Sequence, residues 1–171
     1  MNIVLTGFMA SGKTTIGRRL AELSDYEFID TDEMIVAREG RSINDIFAQD
    51  GEEYFRRVEH EIIREAAKMD NKIISTGGGV VLNPENIEDL RKTGVVFNLD
   101  PDFSVISERV ARAAATRPLM KNQSIEDIKK RFDDRKPFYD NCDYKIHITA
   151  KSTPDDSANS ILNIIKQKKE A

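Results

Sequence analysis

The stretch Gly7-Phe8-Met9-Ala10-Ser11-Gly12-Lys13-Thr14 limits what this chain can fold into more than any other part of it. It satisfies G-x-x-x-x-G-K-[ST] at every fixed position and lies between an apolar run, Ile3-Val4-Leu5, and a helix-like run from Ile16 to Leu23. Strand, loop and helix in that order make a phosphate cradle. The two glycines permit backbone angles that a side chain would forbid, so successive N–H groups can turn inward around anionic oxygens. The helix that follows adds the positive end of its dipole. Ala10, Ser11, Gly12, Lys13, Thr14 and Thr15 are therefore the expected phosphate contacts. Lys13 should reach the β- and γ-phosphates of a nucleotide, and the Thr14 hydroxyl should ligate Mg²⁺ directly.

The rest of the pattern alternates between strands and helices. Strands are predicted over 2–6, 27–30, 72–76, 95–99 and 145–149, with Asp100-Pro101 ending the fourth. The first helix is predicted over 13–24, with Ile16, Leu20 and Leu23 facing the core, and the final one follows Ser152-Thr153-Pro154 and frays after Lys166. Residues 33–69 read as helix broken at Gly40 and Gly51, too long for a simple crossover, so 33–61 is expected to be a helical insertion. Within it, Arg56 and Glu59 share a face at i, i+3, and His60 is expected on a solvated surface. Residues 113–124 lose periodicity around Pro118 and carry Arg117, as a lid would. Most of the basic run Lys129, Lys130, Arg131, Arg135 and Lys136 is expected to face water. The prediction is one α/β domain over 1–171: a three-layer α/β/α fold of P-loop NTPase type, with a five-stranded parallel sheet.

Composition narrows the function classes. The chain is 39% apolar and 33% charged, with a formal charge of −4, which argues against nucleic acid or an acidic membrane as partner. No apolar run approaches the ~18–20 residues of a membrane span, and Met1 leads directly into the first strand. A single cysteine, Cys142, reads as a small half-buried hydrophobe in a reducing compartment, so a cytoplasmic protein is expected. The absence of a long exposed apolar stripe favours a monomer.

Two features near the phosphate loop point to chemistry. Asp32 follows the second strand and so should stand at the crevice beyond the carboxyl ends of the sheet. The third strand ends in Ser75-Thr76-Gly77-Gly78-Gly79, where a nucleotide-binding chain usually has an acidic metal ligand, so Asp32 is the nearest candidate for the Mg²⁺ carboxylate. Three glycines after a buried strand imply close approach of backbone to a ligand or another segment.

With these pieces in order, the chain resembles the shikimate kinase family over nearly its full length. The resemblance rests on Gly12-Lys13-Thr14, Asp30-Thr31-Asp32, Phe47 with Phe55-Arg56-Arg57-Val58-Glu59, Thr76-Gly77-Gly78-Gly79, Arg117-Pro118-Leu119 and Asp134-Arg135-Lys136-Pro137-Phe138-Tyr139. It implies transfer of the γ-phosphate of ATP to the 3-hydroxyl of shikimate. It implies a carboxylate clamp from Arg56, Arg135 and the backbone of Gly77, Gly78 and Gly79, with Glu59 orienting Arg56 and with Phe47 and Phe55 as apolar wall. Asp32 matches the carboxylate at the reacting hydroxyl, and Arg117 matches the lid arginine. Adenine would lie near Thr153 and Pro154 and against either Arg109 or Arg112. A gluconate or nucleoside monophosphate kinase shares the loop and sheet, but does not call for Phe55-Arg56-x-x-Glu59 together with the triple glycine. A GTP switch would need D-x-x-G and [NT]-K-x-D, and neither string occurs. A non-catalytic nucleotide-binding module would have no reason to keep Asp32, Lys13 and Arg117 together.

Overall fold

Side-chain alternation along the first strand divides the interior into two cores. In β1 (Asn2–Gly7) Ile3 and Leu5 point to one face and Val4 to the other, and all three are fully buried. A strand covered on both faces is what a parallel sheet between helical layers requires. The structure, a computed structural model, describes residues 1–115 and 124–171. Arg117, Pro118 and most of the expected lid therefore lie outside the described residues.

β2 (Glu27–Asp30), β3 (Lys72–Ser75), β4 (Gly94–Pro101) and β5 (Tyr144–Ile148) join β1 in a five-stranded sheet of order β2-β3-β1-β4-β5, every pairing parallel. Seven α-helices and a 3-10 turn over Val80–Leu82 accompany them among the described residues: α1 (Lys13–Glu22), α2 (Thr31–Glu39), α3 (Ile43–Ala67), α4 (Pro84–Arg91), α5 (Phe103–Ala114), α6 (Ile125–Tyr139) and α7 (Pro154–Glu170). Ile16 and Leu20 of α1 with Ala158, Ile161 and Ile165 of α7 cover the Ile3 face. Ile63, Ile87, Ile106 and Ile128, one each from α3 to α6, cover the Val4 face. Each fully buried aliphatic side chain contributes about 1.5–3 kcal/mol, against about 0–1 kcal/mol for an exposed ion pair, so these two cores fix the sheet rather than the salt bridges around it.

The expected insertion has a core of its own, in which Ile35 of α2 packs with Ile46, Phe55, Val58 and Ile62 of α3. Its boundaries follow local chemistry. The Asp30 carboxylate caps α2 by accepting from the backbone N–H of Asp32 at 2.8 Å and of Glu33 at 3.2 Å. Gly40 ends α2 in the left-handed region, Ser42 caps α3, and Gly51, at φ 85°, kinks α3 where the sequence predicts a break. Because the chain leaves β1 towards β3 and later returns to β4 on its other side, the sheet has its switch point at β1, beside the phosphate loop.

Several expectations are corrected. Leu23 is not a core residue: Ser24 donates its hydroxyl to Leu20 O at 2.6 Å, α1 stops at Glu22, and Leu23 is left 40% exposed. β4 does not end before Asp100-Pro101. Beyond Leu99 it borders only β5, pairing Pro101 with Ile148, so a residue without an N–H costs no bond on the β1 side. His60 is not simply solvated, because its Nδ1 lies 2.7 Å from Asn86 Oδ1 and links α3 to α4. α5 stays helical to Ala114, which shortens the non-periodic segment. α7 does not fray after Lys166 but runs to Glu170, with Lys168 and Lys169 over the rings of Tyr144 and Tyr26.

Candidate active site

The phosphate loop is folded around its own lysine. Gly12, at φ 98°, opens α1, and Lys13 Nζ donates to Gly7 O at 2.6 Å, Phe8 O at 3.1 Å and Ser11 Oγ at 3.4 Å. Burial pulls the Lys13 pKa down to about 8, while the carboxylates of Asp32 and then Asp30 oppose the shift. Lys13 shares a cavity of about 300 Å³ with Thr14, Asp32, Gly77, Gly78 and Arg135. This hollow opens at the carboxyl ends of β1, β2 and β3. A larger hollow of about 530 Å³ lies near the strands' amino ends, by Tyr26 and Asn71, away from these groups and from the crevice where open α/β sheets bind ligands.

Asp32 occupies the first turn of α2. Burial, and then the neighbouring Asp30, raise its pKa, with Lys13 and Arg56 pulling the other way. The triple glycine leaves room for its carboxylate. A Cβ on Gly77 would lie 2.6 Å from Asp32 Oδ1, one on Gly79 would lie 2.6 Å from Arg56 Nη2, and one on Gly78 would lie 3.6 Å from Arg135 Nη1. Each glycine thus faces a different charged group, and at two of the three a methyl would force that group aside. This accounts for Gly77 and Gly79, while a Cβ at Gly78 would make only ordinary contact. The turn is anchored by Gly77 N donating to Thr31 Oγ1 at 3.2 Å and by Thr76 Oγ1 donating to Leu5 O at 2.9 Å.

Arg56 reaches this turn from α3. Its Nη1 donates to Glu59 Oε1 at 3.0 Å, and its guanidinium stands 5.3 Å from the centre of the Phe55 ring. Glu59 is buried, which raises its pKa, and Arg56 supplies the main opposing attraction. The pair therefore holds the guanidinium fork towards Gly79 with Phe55 beneath it. Phe47 packs on Phe55 with ring centres 4.7 Å apart and stays 37% exposed at the rim. Asp32, Arg56 and Arg135 thus converge around the triglycine turn. A half-buried acid beside two guanidinium forks and the backbone N–H groups of Gly78 and Gly79 can bind a small acid that carries hydroxyls.

A second cavity, of about 380 Å³, lies on the other side of the loop, against Gly12, Thr15, Arg109, Arg112, Thr153 and Pro154. Arg109 Nη1 donates to Ala10 O at 2.8 Å and so leans on the phosphate loop, while Arg112 is paired with Glu108 on the exposed face of α5. Thr153 and Asp156 form a reciprocal capping box that fixes the start of α7 at this cavity. The arrangement suits a flat base whose phosphates run into the loop.

Some contributors carry no obvious signal in sequence. Asp30 lines the first cavity beside Asp32 and caps its helix. Arg131, exposed like most of its basic run, also borders the same cavity one turn before Arg135. Tyr139 donates its hydroxyl to Gly78 O at 2.6 Å. The (i, i+4) spacing of 131, 135 and 139 on α6 could have flagged that face. For a metal, Thr14, Asp30 and Asp32 offer hard oxygen donors around one space. Among the described residues no group of three or more His, Cys, Asp or Glu gathers to hold an ion alone. Such a set fits a small dication that keeps waters and takes its other ligands from phosphate.

A family model described as shikimate kinase matches residues 9–166. The chain is 47% identical to the shikimate kinase of Caldicellulosiruptor bescii, over 95% of this chain and 94% of that one. It is 42% identical to the shikimate kinase of Caldanaerobacter subterraneus subsp. tengcongensis, over 98% of both. Its fold matches the shikimate kinase of Acinetobacter baumannii solved with shikimate, with a TM-score of 0.86 and 34% identity, over 98% of this chain and 94% of that one.

Proposed function

The chain belongs to the shikimate kinase family, and on that premise we propose that it transfers the γ-phosphate of ATP to the 3-hydroxyl of shikimate, giving shikimate 3-phosphate and ADP. The observation that carries this reading is the convergence of Asp32, Arg56 and Arg135 on the triglycine turn next to Lys13. Arg56 and Arg135 grip the substrate carboxylate, and backbone N–H groups of the glycine run assist them. Glu59 keeps Arg56 aimed, and Phe47 and Phe55 wall the ring. ATP lays its phosphates in the loop from Ala10 to Thr15 and its adenine between Arg109 and the Thr153-Pro154 turn. Arg109 is the better of the two arginines for this role, because Arg112 is engaged by Glu108.

In the reaction the substrate oxygen bonds to the γ-phosphorus, the bond from that phosphorus to the bridging oxygen breaks, and ADP leaves with the electron pair. A loose transition state asks little proton abstraction early, so Asp32 first orients the hydroxyl. Its raised pKa then suits it to take the proton as the new bond completes. Charge on the transferring group is neutralised by Lys13 and by Arg117, carried on the segment over 113–124 that serves as lid. Thr14 would hold Mg²⁺ directly and Asp32 through water, and the ion would supply charge neutralisation across the phosphates. Residues 33–61 act as the acceptor-binding insertion of a single kinase domain. We further infer a cytoplasmic monomer. Among the described residues no helix is long and apolar enough to cross a membrane, and the exposed large apolar residues Leu23, Val36, Phe47, Ile125 and Phe138 are dispersed along the chain.

Coupled ADP release with shikimate, gluconate, CMP or no acceptor tests the proposal. Release that requires shikimate is the expected result, and release with gluconate or CMP in its place would assign the site to another acceptor.

A further inference from the structure

We propose that Tyr139 is a positioning residue that ties the acceptor-binding glycine turn to the phosphate loop, through its hydroxyl on one side and its ring on the other. The inference rests on the reading of the triglycine turn as the shikimate carboxylate site. Tyr139 ends α6, one turn after Arg135 on the same helix. Its hydroxyl donates to the carbonyl of Gly78, the middle glycine, at 2.6 Å. Its ring meets Phe8 of the phosphate loop edge to face, with centres 6.5 Å apart and planes at 86°. Phe8 is also met edge-on by Phe132 of α6 at 5.4 Å, so the loop's first side chain is clasped by two aromatics from one helix.

Three glycines confer freedom that has to be taken away again if their N–H groups are to point at a carboxylate. Gly78 has no side chain to pack, so its peptide orientation depends on what its carbonyl and N–H bind. The Tyr139 hydroxyl holds that carbonyl turned towards α6, and the adjoining peptide N–H of Gly79 is set by the same plane. Tyr139 is buried, and burial raises its pKa, so the phenol keeps its proton and remains a donor across the physiological range. The hydroxyl therefore acts on the acceptor turn and the ring acts on the nucleotide loop. These are separable by substitution.

Tyr139→Phe removes only the hydroxyl. It should raise the KM for shikimate by about 3–10-fold, the size of one lost net hydrogen bond, with the KM for ATP changed less than about twofold. Tyr139→Leu also removes the ring and should additionally raise the KM for ATP. A melting curve on each variant separates this from general loosening. If Tyr139→Phe leaves the shikimate KM within about twofold of the parent, or moves both KM values equally, the inference is overturned. Tyr139→Phe is nearly isosteric and keeps the test open if Tyr139→Leu does not fold. Failure of the parent protein to use shikimate would instead remove the reading on which the inference rests, so the two failures are told apart.

Discussion

The two cavities flanking the phosphate loop are built on different principles. On the acceptor side, charged groups crowd the glycine turn: Asp32 beside Gly77, Arg56 beside Gly79 and bonded to Glu59, and Arg135 beside Gly78. On the base side, the wall is a helix flank and a turn, with one hydrogen bond from Arg109 to Ala10 O linking it to the loop. The first arrangement can reject a ligand that leaves a buried charge unpaired, which is the costly kind of mismatch. The second offers shape and stacking, where mismatches cost less. Selectivity should therefore reside at the acceptor, with tolerance at the base.

The largest expected effects fall on Arg117 and Asp32, the groups proposed to act on the transferring phosphate. Arg117→Ala should bind ATP yet lose about 10³–10⁵ in kcat, and near-normal turnover would remove the lid arginine from the mechanism. Asp32→Asn should likewise fold and fail to transfer phosphate. Next come the acceptor-side forks. Removing one partner of a buried charged pair costs about 2–5 kcal/mol, so Arg56→Ala should raise the shikimate KM by roughly 30–4,000-fold while leaving ATP affinity, read by nucleotide titration, within a few-fold. Gly79→Ala should mimic it in direction, because the added methyl displaces the same guanidinium. If Gly79→Ala is kinetically silent, the contact between turn and arginine does not matter to binding. Base-side changes should be smaller: Arg109→Ala should shift the ATP KM several-fold and Arg112→Ala hardly at all, and the reverse order would exchange their roles.

The smallest effect concerns pH. Lys13 has a folded pKa of about 8 against 10.5 in the unfolded chain. Between those values the unfolded state carries more protons, so stability contributed through this group rises as pH climbs from about 8 towards 10.5. Denaturant unfolding of the parent relative to Lys13→Met should show that slope, and a flat difference would mean that the lysine is not held in its desolvated position.

The same contrast governs what could be read from sequence. The phosphate loop, the five strands, the breaks at Gly40 and Gly51 and the Arg56–Glu59 pair were legible because each depends on residues close together in the chain. Leu23, His60, the end of β4 and the last turn of α7 were not, because each was decided by a partner remote in sequence or by a side-chain cap. Leu23 shows this best: the helical period places it in the core, and a serine hydroxyl one residue later ends the helix first. Tyr139 stood within a recognisable run, but nothing in the run says that its hydroxyl meets a glycine carbonyl sixty-one residues away.

The proposed grip of the arginines on one substrate carboxylate can be tested by crossing protein and ligand changes. Binding of shikimate and of its carboxamide is measured by calorimetry for the parent and for Arg135→Ala. If the guanidinium grips the carboxylate, the carboxamide binds the parent much more weakly than shikimate does, and that penalty shrinks by tenfold or more in the variant. An equal penalty in both proteins would mean that Arg135 and the substrate acid do not meet.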